Sequence, residues 1–312
     1  MRLHTLVPLT VALLVGCASG AGTSDGIDAS STTSAATTTA AGTTTTTDTT
    51  SASLFADRPY KVFVPTKYDE KTAAPLVILL HGYTATGDLQ EVYFKLQPEA
   101  EARGFLYVHP DGLVDRRNNP FWNATDACCD ATRSVDDSGY LTFLIDEVST
   151  TYNVDPARIY LVGHSNGGFM SYRMAYDHAD RIAAIVSLAG STFLDDSKCK
   201  PTEPVSILQI HGTDDQTIRY DGGGAFAQYP SAEAAVGMWA VHNGCSSEMR
   251  DSGAIDINFS LDGDETTKSA FTGCRIDGEV ELWTMVGGSH VPALQPTFAT
   301  DIIDWLFEHP KI

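Results

Sequence analysis

Apolar, mostly β-branched runs alternate along the chain with segments of helical periodicity. The continuous apolar run Pro75–Leu80 is typical of a strand that is buried on both faces of a parallel sheet. Six further segments predict strands, namely 60–64, 105–109, 158–162, 182–188, 205–210 and 280–286. Helices are predicted at 136–152, 166–177 and 297–307, and from an N-cap at Ser231. Because strands alternate with helices, we expect an α/β fold with a mostly parallel central sheet and helices on both faces.

The first 53 residues do not have the pattern of a folded domain. Residues 1–16 combine a basic start with a short apolar run, which predicts a cleaved export signal rather than a permanent membrane helix. Leu14–Cys17 resembles a bacterial lipobox and predicts lipid attachment, and hence a membrane anchor, at Cys17. The alternative is an ordinary signal peptide with an incidental cysteine. Residues 17–53 are rich in Thr, Ala and Ser, which predicts a disordered tether. One folded domain then remains at 54–312.

Charge and cysteine content narrow the possible partners. A formal net charge of −20 argues against nucleic acid or an anionic lipid surface as a partner. In an exported protein we expect disulfides, and Cys245 with Cys274 is the preferred pair. For Cys199 we expect a bond to either Cys128 or Cys129. No C-x-x-C pair is present, so a zinc ribbon is not expected, and the chemistry below needs no metal or organic cofactor.

A long segment, 113–135, lacks regular periodicity. Loops of this length are often functional. Because the segment holds Trp122, Cys128 and Cys129, we expect a loop stapled by a disulfide near a site. Trp122 is either part of the loop core or a wall of the substrate pocket.

Residues Gly163–Gly167 fit the G-x-S-x-G pattern, with Ser165 at its centre. The pattern alone is weak evidence, since a protein this rich in Gly and Ser matches it by chance about one time in six. Its context is more specific. Ser165 follows a predicted strand and precedes a predicted helix, which is the strand-turn-helix setting of a nucleophile elbow.

Two further candidates follow strands in the same way. Asp215 comes after the strand 205–210, and His290 comes after the strand 280–286. The order Ser…Asp…His is that of α/β-hydrolases, whose ligands bind beyond the carboxyl ends of the strands. We therefore expect Ser165 as nucleophile, His290 as general base and Asp215 as the group that orients the imidazole. Asp214 is an alternative acid.

Backbone N–H groups are expected to hold the oxyanion. One belongs to Asn166, directly after the nucleophile, and the second is expected from Tyr83 in the loop after the strand 75–80. The Tyr83 side chain either lines the pocket or faces water. Three other histidines, His81, His164 and His211, are expected to be structural, and Asp136 and Asp137 to cap a helix.

Several motifs together resemble the secreted esterases grouped with polyhydroxybutyrate depolymerases and feruloyl esterases. They run in that family's order across most of 59–308: Leu80-His-Gly82, Tyr107-Val-His-Pro-Asp-Gly112, Cys128-Cys129 with Val135-Asp-Asp137, Gly163-His-Ser-Asn-Gly-Gly168, His211-Gly-Thr-Asp-Asp215 and Gly287-Gly-Ser-His290. The resemblance implies an α/β-hydrolase fold without a large cap domain. It also implies the triad Ser165, Asp215 and His290, since the pattern H-G-T-x-D selects Asp215. The chain departs from the family at 136–140, which reads DDSGY where relatives often have DDVGF, and at 287–290, which reads GGSH where many have GGGH.

The leading functional hypothesis is an extracytoplasmic serine carboxylic-ester hydrolase, lipid-anchored to a bacterial envelope or secreted. Feruloyl or acetyl esters of polysaccharide are the expected substrates. Polyhydroxyalkanoate or another polyester is the alternative, and a noncatalytic surface lipoprotein is a remote one. A peptidase would use the same triad, but such enzymes usually carry an added domain for which the chain has no room.

Overall fold

The computed structural model describes residues 55, 58–128, 135–223 and 227–312. The predicted signal peptide, the tether, the lipid site at Cys17 and the cysteine Cys129 lie outside these ranges. None of the helices in the described ranges combines the length and apolarity needed to cross a bilayer.

The described strands are β1 Val62–Phe63, β2 Ala74–Leu80, β3 Leu106–Val108, β4 Leu113–Val114, β5 Pro120–Phe121, β6 Val154–His164, β7 Ala184–Leu188, β8 Ser206–Gly212, β9 Met249–Ile255, β10 Thr266–Phe271 and β11 Val280–Met285. Nine of them form one sheet in the order β1-β3-β2-β6-β7-β8-β11-β10-β9, and β4 pairs with β5 separately. The run from β3 to β11 is parallel, whereas β1 at one edge and β10 and β9 at the other pair antiparallel.

All seven predicted strands are present, with boundaries shifted by a few residues. The expectation of a mostly parallel sheet is therefore confirmed. Strands β9 and β10 were not predicted. The sequence of β9, MRDSGAI, is largely exposed at the sheet edge and has no apolar run.

The helices are α1 Gly87–Phe94, α2 Leu96–Arg103, α3 Asp137–Thr151, α4 Asn166–Asp177, α5 Ala232–His242 and α6 Phe298–Glu308. The predicted caps at Asp136 and Ser231 are confirmed, because their side chains accept hydrogen bonds from the N–H groups of Gly139 and Ala234. Helices α1 and α2 were not predicted. They are short and are separated by Lys95, whose backbone is left-handed with φ 58°.

Alternate residues of β2 enter two different cores, as the two-residue period of a strand requires. Leu76, Ile78 and Leu80 belong to a core that also contains buried residues of α3, α4 and α5. Val77 and Leu79 belong to a second core, with buried residues of α1, α2 and α6. The sheet is thus covered on both faces, which explains why the strand is apolar at every position.

The cysteines confirm one predicted pair and correct another. Cys245 and Cys274 form a disulfide. Cys199 is a free, buried thiol, so its predicted bond to Cys128 or Cys129 is wrong. Cys128 is itself disulfide-bonded, whereas Cys199 hydrogen-bonds with Tyr176 and burial raises the pKa of its thiol to about 12. The thiol is therefore protonated at neutral pH and takes no part in stapling the 113–135 loop.

Candidate active site

Ser165 lies on a strained turn between β6 and α4. Its φ of 54° and ψ of −118° are sparsely populated for a residue with a side chain. A Cβ at Gly163 would overlap the carbonyl of Gly167, and a Cβ at Gly167 would overlap the carbonyl of Leu80. The Ser165 N–H donates to the Leu188 carbonyl over 2.8 Å. The two glycines thus provide the space, and β7 holds the strained residue in place.

His290 bridges Ser165 and Asp215. Its Nε2 lies 3.0 Å from Ser165 Oγ, and its Nδ1 lies 2.8 Å from Asp215 Oδ2. Because a carboxylate can only accept, the proton of a neutral imidazole is on Nδ1. The lone pair on Nε2 then faces the serine hydroxyl, which is the tautomer that a general base requires.

The carboxylate of Asp215 is buried and well bonded. Its Oδ1 accepts from the N–H groups of Thr217 and Ile218 over 2.8 and 2.9 Å. Burial raises the pKa of Asp215, but hydrogen bonds from His211 and His290 lower it more, so the net pKa is well below its usual range. Asp215 is therefore ionised at neutral pH. Asp214 is exposed instead, so the structure brings Asp215 rather than Asp214 to His290.

His211 contacts the Asp215 carboxylate and the loop that carries it. The amide Nε2 of Gln209 donates to His211 Nδ1 over 3.1 Å, so the remaining ring proton is on Nε2. That Nε2 lies 2.7 Å from the Ile218 carbonyl and 3.4 Å from Asp215 Oδ2. The prediction that His211 is structural is compatible with these contacts, which hold the loop that carries the acid.

His164, adjacent to the serine, supports the imidazole from the other side. Its Nε2 lies 2.9 Å from the backbone carbonyl of His290, and the two rings are 5.1 Å apart. Burial, with a smaller contribution from the proximity of His290, lowers the pKa of His164 to about 4. A neutral His164 thus donates its single ring proton to the His290 carbonyl and fixes that loop.

The turn after β2 supplies one candidate oxyanion donor. The N–H groups of Gly82 and Thr84 donate to the Gln90 side chain and to the Pro120 carbonyl. Between them, the N–H of Tyr83 has no hydrogen-bond partner among the described residues. The N–H of Asn166 opens α4, where the first N–H groups have no partner within the helix. Both predicted donors are therefore available to a ligand.

The Tyr83 side chain ties this turn to the hairpin of β4 and β5. Its hydroxyl donates to Asp115 Oδ2 over 2.5 Å and accepts from Asn119 Nδ2 over 3.0 Å. The sequence left open whether the Tyr83 side chain lines the pocket or faces water. Its hydroxyl does not face water freely, because both neighbouring side chains bond it. Its contact with substrate stays a prediction.

Trp122 is fully buried and does not line a substrate pocket. Its Nε1 donates to the His81 carbonyl over 3.1 Å, and its ring packs on the His81 imidazole at 5.0 Å. The prediction of Trp122 as a substrate-lining residue is therefore wrong, and its alternative, a residue of the loop core, applies. The indole is buried because it joins the loop to the end of β2.

Sequence reasoning missed a second role for Asn166. Its side-chain Oδ1 accepts from the Trp122 N–H over 2.6 Å, and its Nδ2 donates to the Trp122 carbonyl over 2.9 Å. The same Nδ2 lies 3.5 Å from Cys128 Sγ. This amide therefore joins the residue after the nucleophile to the long loop. The available signal in the sequence was an amide side chain directly after the nucleophile, since an amide can both donate and accept hydrogen bonds.

Asp137 was predicted to cap α3 with Asp136, but it has a different role. It is buried within the first turn of the helix and pairs with Arg58 at 2.7 Å. Its Oδ2 accepts from the Asn123 N–H over 2.6 Å. Burial raises the pKa of Asp137, and the Arg58 guanidinium counteracts that rise. Asp136 alone caps the helix, and Asp137 instead holds the long loop through the N–H of Asn123.

No cluster of three or more metal-ligating side chains occurs within the described ranges. The assembled groups can transfer a proton between the Ser165 hydroxyl and the His290 imidazole, which the ionised Asp215 carboxylate orients. Two backbone N–H groups lie on the turns that flank the serine.

Known proteins are similar to this chain in sequence or in fold. A feruloyl esterase B of Piromyces equi is 29% identical over 235 residues, which are 72% of this chain and 41% of the relative. A bifunctional acetylxylan esterase/xylanase of Neocallimastix patriciarum is 28% identical over 165 residues, 53% of this chain and 22% of the relative. The chain thus spans less than half the length of either relative.

The solved acetyl xylan esterase from Aspergillus awamori superposes with a TM-score of 0.58 at 14% identity, covering 80% of this chain and 93% of that structure. This similarity shows a shared fold. A family model described as phospholipase/carboxylesterase matches residues 64–252, which is more than half of the 312 residues. The chain belongs to this phospholipase/carboxylesterase family, with the α/β-hydrolase fold.

Proposed function

We propose that the protein is an extracytoplasmic serine carboxylic-ester hydrolase that acts on feruloyl or acetyl esters of polysaccharide. The observation that carries the proposal is the position of His290, within hydrogen-bond distance of both Ser165 Oγ and Asp215 Oδ2. A serine, an imidazole and an ionised carboxylate in this order are the parts that acyl transfer requires.

In the first half-reaction, Ser165 Oγ attacks the ester carbonyl carbon while its proton passes to His290 Nε2. The new C–O bond produces a tetrahedral oxyanion, which the N–H groups of Asn166 and Tyr83 stabilise. Asp215 keeps the imidazole in the required tautomer and stabilises the imidazolium. The imidazolium then protonates the alcohol oxygen, the C–O bond to the alcohol breaks, and an acyl-enzyme remains.

In the second half-reaction, water replaces the alcohol. His290 Nε2 takes a proton from this water as its oxygen attacks the acyl carbonyl carbon. The second tetrahedral intermediate collapses, Ser165 recovers its proton from the imidazolium, and the carboxylic acid leaves. The reaction is hydrolytic throughout and consumes only the ester and water.

The substrate class is supported by the relatives that are named feruloyl esterase and acetylxylan esterase. Export is supported by the disulfide between Cys245 and Cys274, since such bonds persist in oxidising compartments. The lipid anchor at Cys17 remains a proposal from the sequence.

The test is hydrolysis of p-nitrophenyl acetate, methyl ferulate and hydroxybutyrate oligomers by the full chain and by Ser165→Ala. We expect Ser165→Ala to lower kcat by roughly 10⁴- to 10⁶-fold. Ser149→Ala, on an exposed face of α3, is the matched control and should retain full activity. Circular dichroism shows whether each variant is folded.

The ranking of the substrates tests the finer assignment. Preference for methyl ferulate or acetate over the hydroxybutyrate oligomers is expected, and the reverse ranking would favour the polyester alternative. A folded wild-type protein that is as inactive as Ser165→Ala on every ester would contradict the proposal and favour a noncatalytic lipoprotein.

A further inference from the structure

Two cavities lie at opposite ends of the parallel strands. One, of about 640 Å³, is lined by 271–277 and 308–310 among others, at the end of the sheet where β11 begins. The second, about 470 Å³, is lined by the segments 125–127 and 193–195 and by Gln228. Segment 193–195 follows the carboxyl end of β7, so this second groove lies at the edge that carries Ser165.

The walls of the second groove are linked along the chain to the nucleophile elbow. Ala127, in its wall, precedes Cys128, and Cys128 Sγ lies 3.5 Å from Asn166 Nδ2. Asn166 directly follows Ser165 in the chain. On the other side, Leu188 accepts the Ser165 N–H and lies five residues before Phe193. Each wall of the groove therefore belongs to a chain segment that also contains a residue in contact with the nucleophile elbow.

The lining of the groove combines an aromatic ring with hydrogen-bond acceptors. Phe193 is half-buried against Tyr176, and Leu194 is 52% exposed. Asp195 uses its Oδ1 to accept from the Ser197 N–H and hydroxyl, which leaves its Oδ2 for a ligand. Gln228 is exposed and supplies both a donor and an acceptor.

Charge excludes one class of ligand from this groove. Asp126 and Asp195 both line it, and Lys198, a cation among the described residues beside them, is paired with Asp126. A carboxylate or sulfate group of a ligand would therefore be repelled. Carboxylate oxygens bind hydroxyl groups, and an aromatic face binds the apolar face of a sugar ring. The volume is within the range that holds a small ligand.

We propose that this groove binds an uncharged sugar residue in the alcohol half of the ester, with Asp195 and Gln228 bonding its hydroxyls and Phe193 packing on its ring. This inference rests on the proposed function and names the subsite of that same active site. The groove is open to solvent at Leu194, so a polysaccharide can continue beyond the first sugar. A terminal acyl group has no need of such an opening.

The test compares two esters of one acid, methyl ferulate and a feruloylated arabinofuranoside. In Asp195→Asn and Phe193→Ala, we expect the ratio of kcat/KM for the sugar ester to that for methyl ferulate to fall about five- to tenfold, equivalent to one hydrogen bond. Asp196→Asn is the matched control, since Asp196 bonds His242 outside the groove and should leave the ratio unchanged. An unchanged ratio in both folded groove variants would overturn the inference. If kcat/KM also fell equally on both esters, the groove would be assigned to the acyl half instead.

A binding measurement separates this inference from the proposed function. Calorimetry with arabinoxylan oligosaccharide on Ser165→Ala should show binding that Asp195→Asn weakens about five- to tenfold. An inactive wild-type protein that binds sugar in this way would contradict the esterase proposal but support the groove as a sugar-binding site. An active wild-type enzyme whose Ser165→Ala variant does not bind the oligosaccharide would overturn the sugar subsite alone.

Discussion

His164 Nε2 lies 2.9 Å from the backbone carbonyl of His290, so the residue before the nucleophile holds the loop of the proposed general base. The side chain is buried, and its imidazole has Tyr93 as a further ring neighbour at 5.6 Å. The Tyr93 hydroxyl in turn donates to the Pro292 carbonyl over 2.7 Å. The loop around His290 is therefore held from two sides, by His164 and by Tyr93.

The buried His164 predicts a pH-dependent stability. Its pKa is lowered from 6.5 to about 4, so between these values the unfolded chain binds a proton that the native protein does not. The free energy of unfolding should therefore fall as the pH is lowered from about 6.5 to about 4, by about 3 kcal/mol from this group. In His164→Gln the decline should be shallower by that amount, as measured by urea unfolding at several pH values. Parallel curves for the two proteins would contradict the assignment.

Replacement of the acid should distinguish Asp215 from its neighbour. Asp215→Asn removes the charge that stabilises the His290 imidazolium and favours the wrong tautomer, so kcat should fall by about 10⁴-fold. Asp214→Asn alters an exposed side chain and should stay within about twofold of wild type. Steady-state kinetics on p-nitrophenyl acetate measure both. Equal activity of the two variants would contradict the proposed role of Asp215.

The elbow glycine should tolerate no side chain. A Cβ at Gly167 would overlap the backbone of Leu80, so Gly167→Ala should abolish activity and lower the free energy of unfolding by several kcal/mol, about 3 or more. Gly237 in α5 is the matched control, because an added methyl group would meet no atom within 4 Å other than its chain neighbours and the backbone of its own helix. Gly237→Ala should stabilise the protein by about 0.5–1 kcal/mol. Thermal unfolding followed by circular dichroism compares the two.

The amide of Asn166 should contribute to the order of the long loop. Asn166→Ala leaves the Trp122 N–H without its buried partner, whereas the Trp122 carbonyl keeps its hydrogen bond from the Ala124 N–H, so the cost should be about 1–3 kcal/mol. Asn153→Ala removes one exposed hydrogen bond and should cost about 1 kcal/mol or less. Urea unfolding gives the energies, and limited proteolysis should show faster cleavage within 113–128 in Asn166→Ala. Equal protection of that loop in both variants would contradict this role.

Local pattern predicted the parallel strands because β2 is buried on both faces and is apolar at each position, and its neighbour β6 has the buried run Tyr160–Val162. The same logic failed for β9, a largely exposed edge strand that pairs with β10 through its backbone and has no apolar run. It also failed for α1 and α2, which are too short for a periodic pattern to be distinguished.

The proposed catalytic residues could be predicted from sequence because each follows a strand at the carboxyl edge of one parallel sheet, so topology alone brings Ser165, Asp215 and His290 to the same edge. Their supporting contacts could not be predicted. The bonds of Asn166 to Trp122 and of Asp137 to Arg58 join segments more than 40 residues apart. Whether a side chain such as Trp122 faces core or solvent depends on which distant segment covers it, and only the packed tertiary structure decides that.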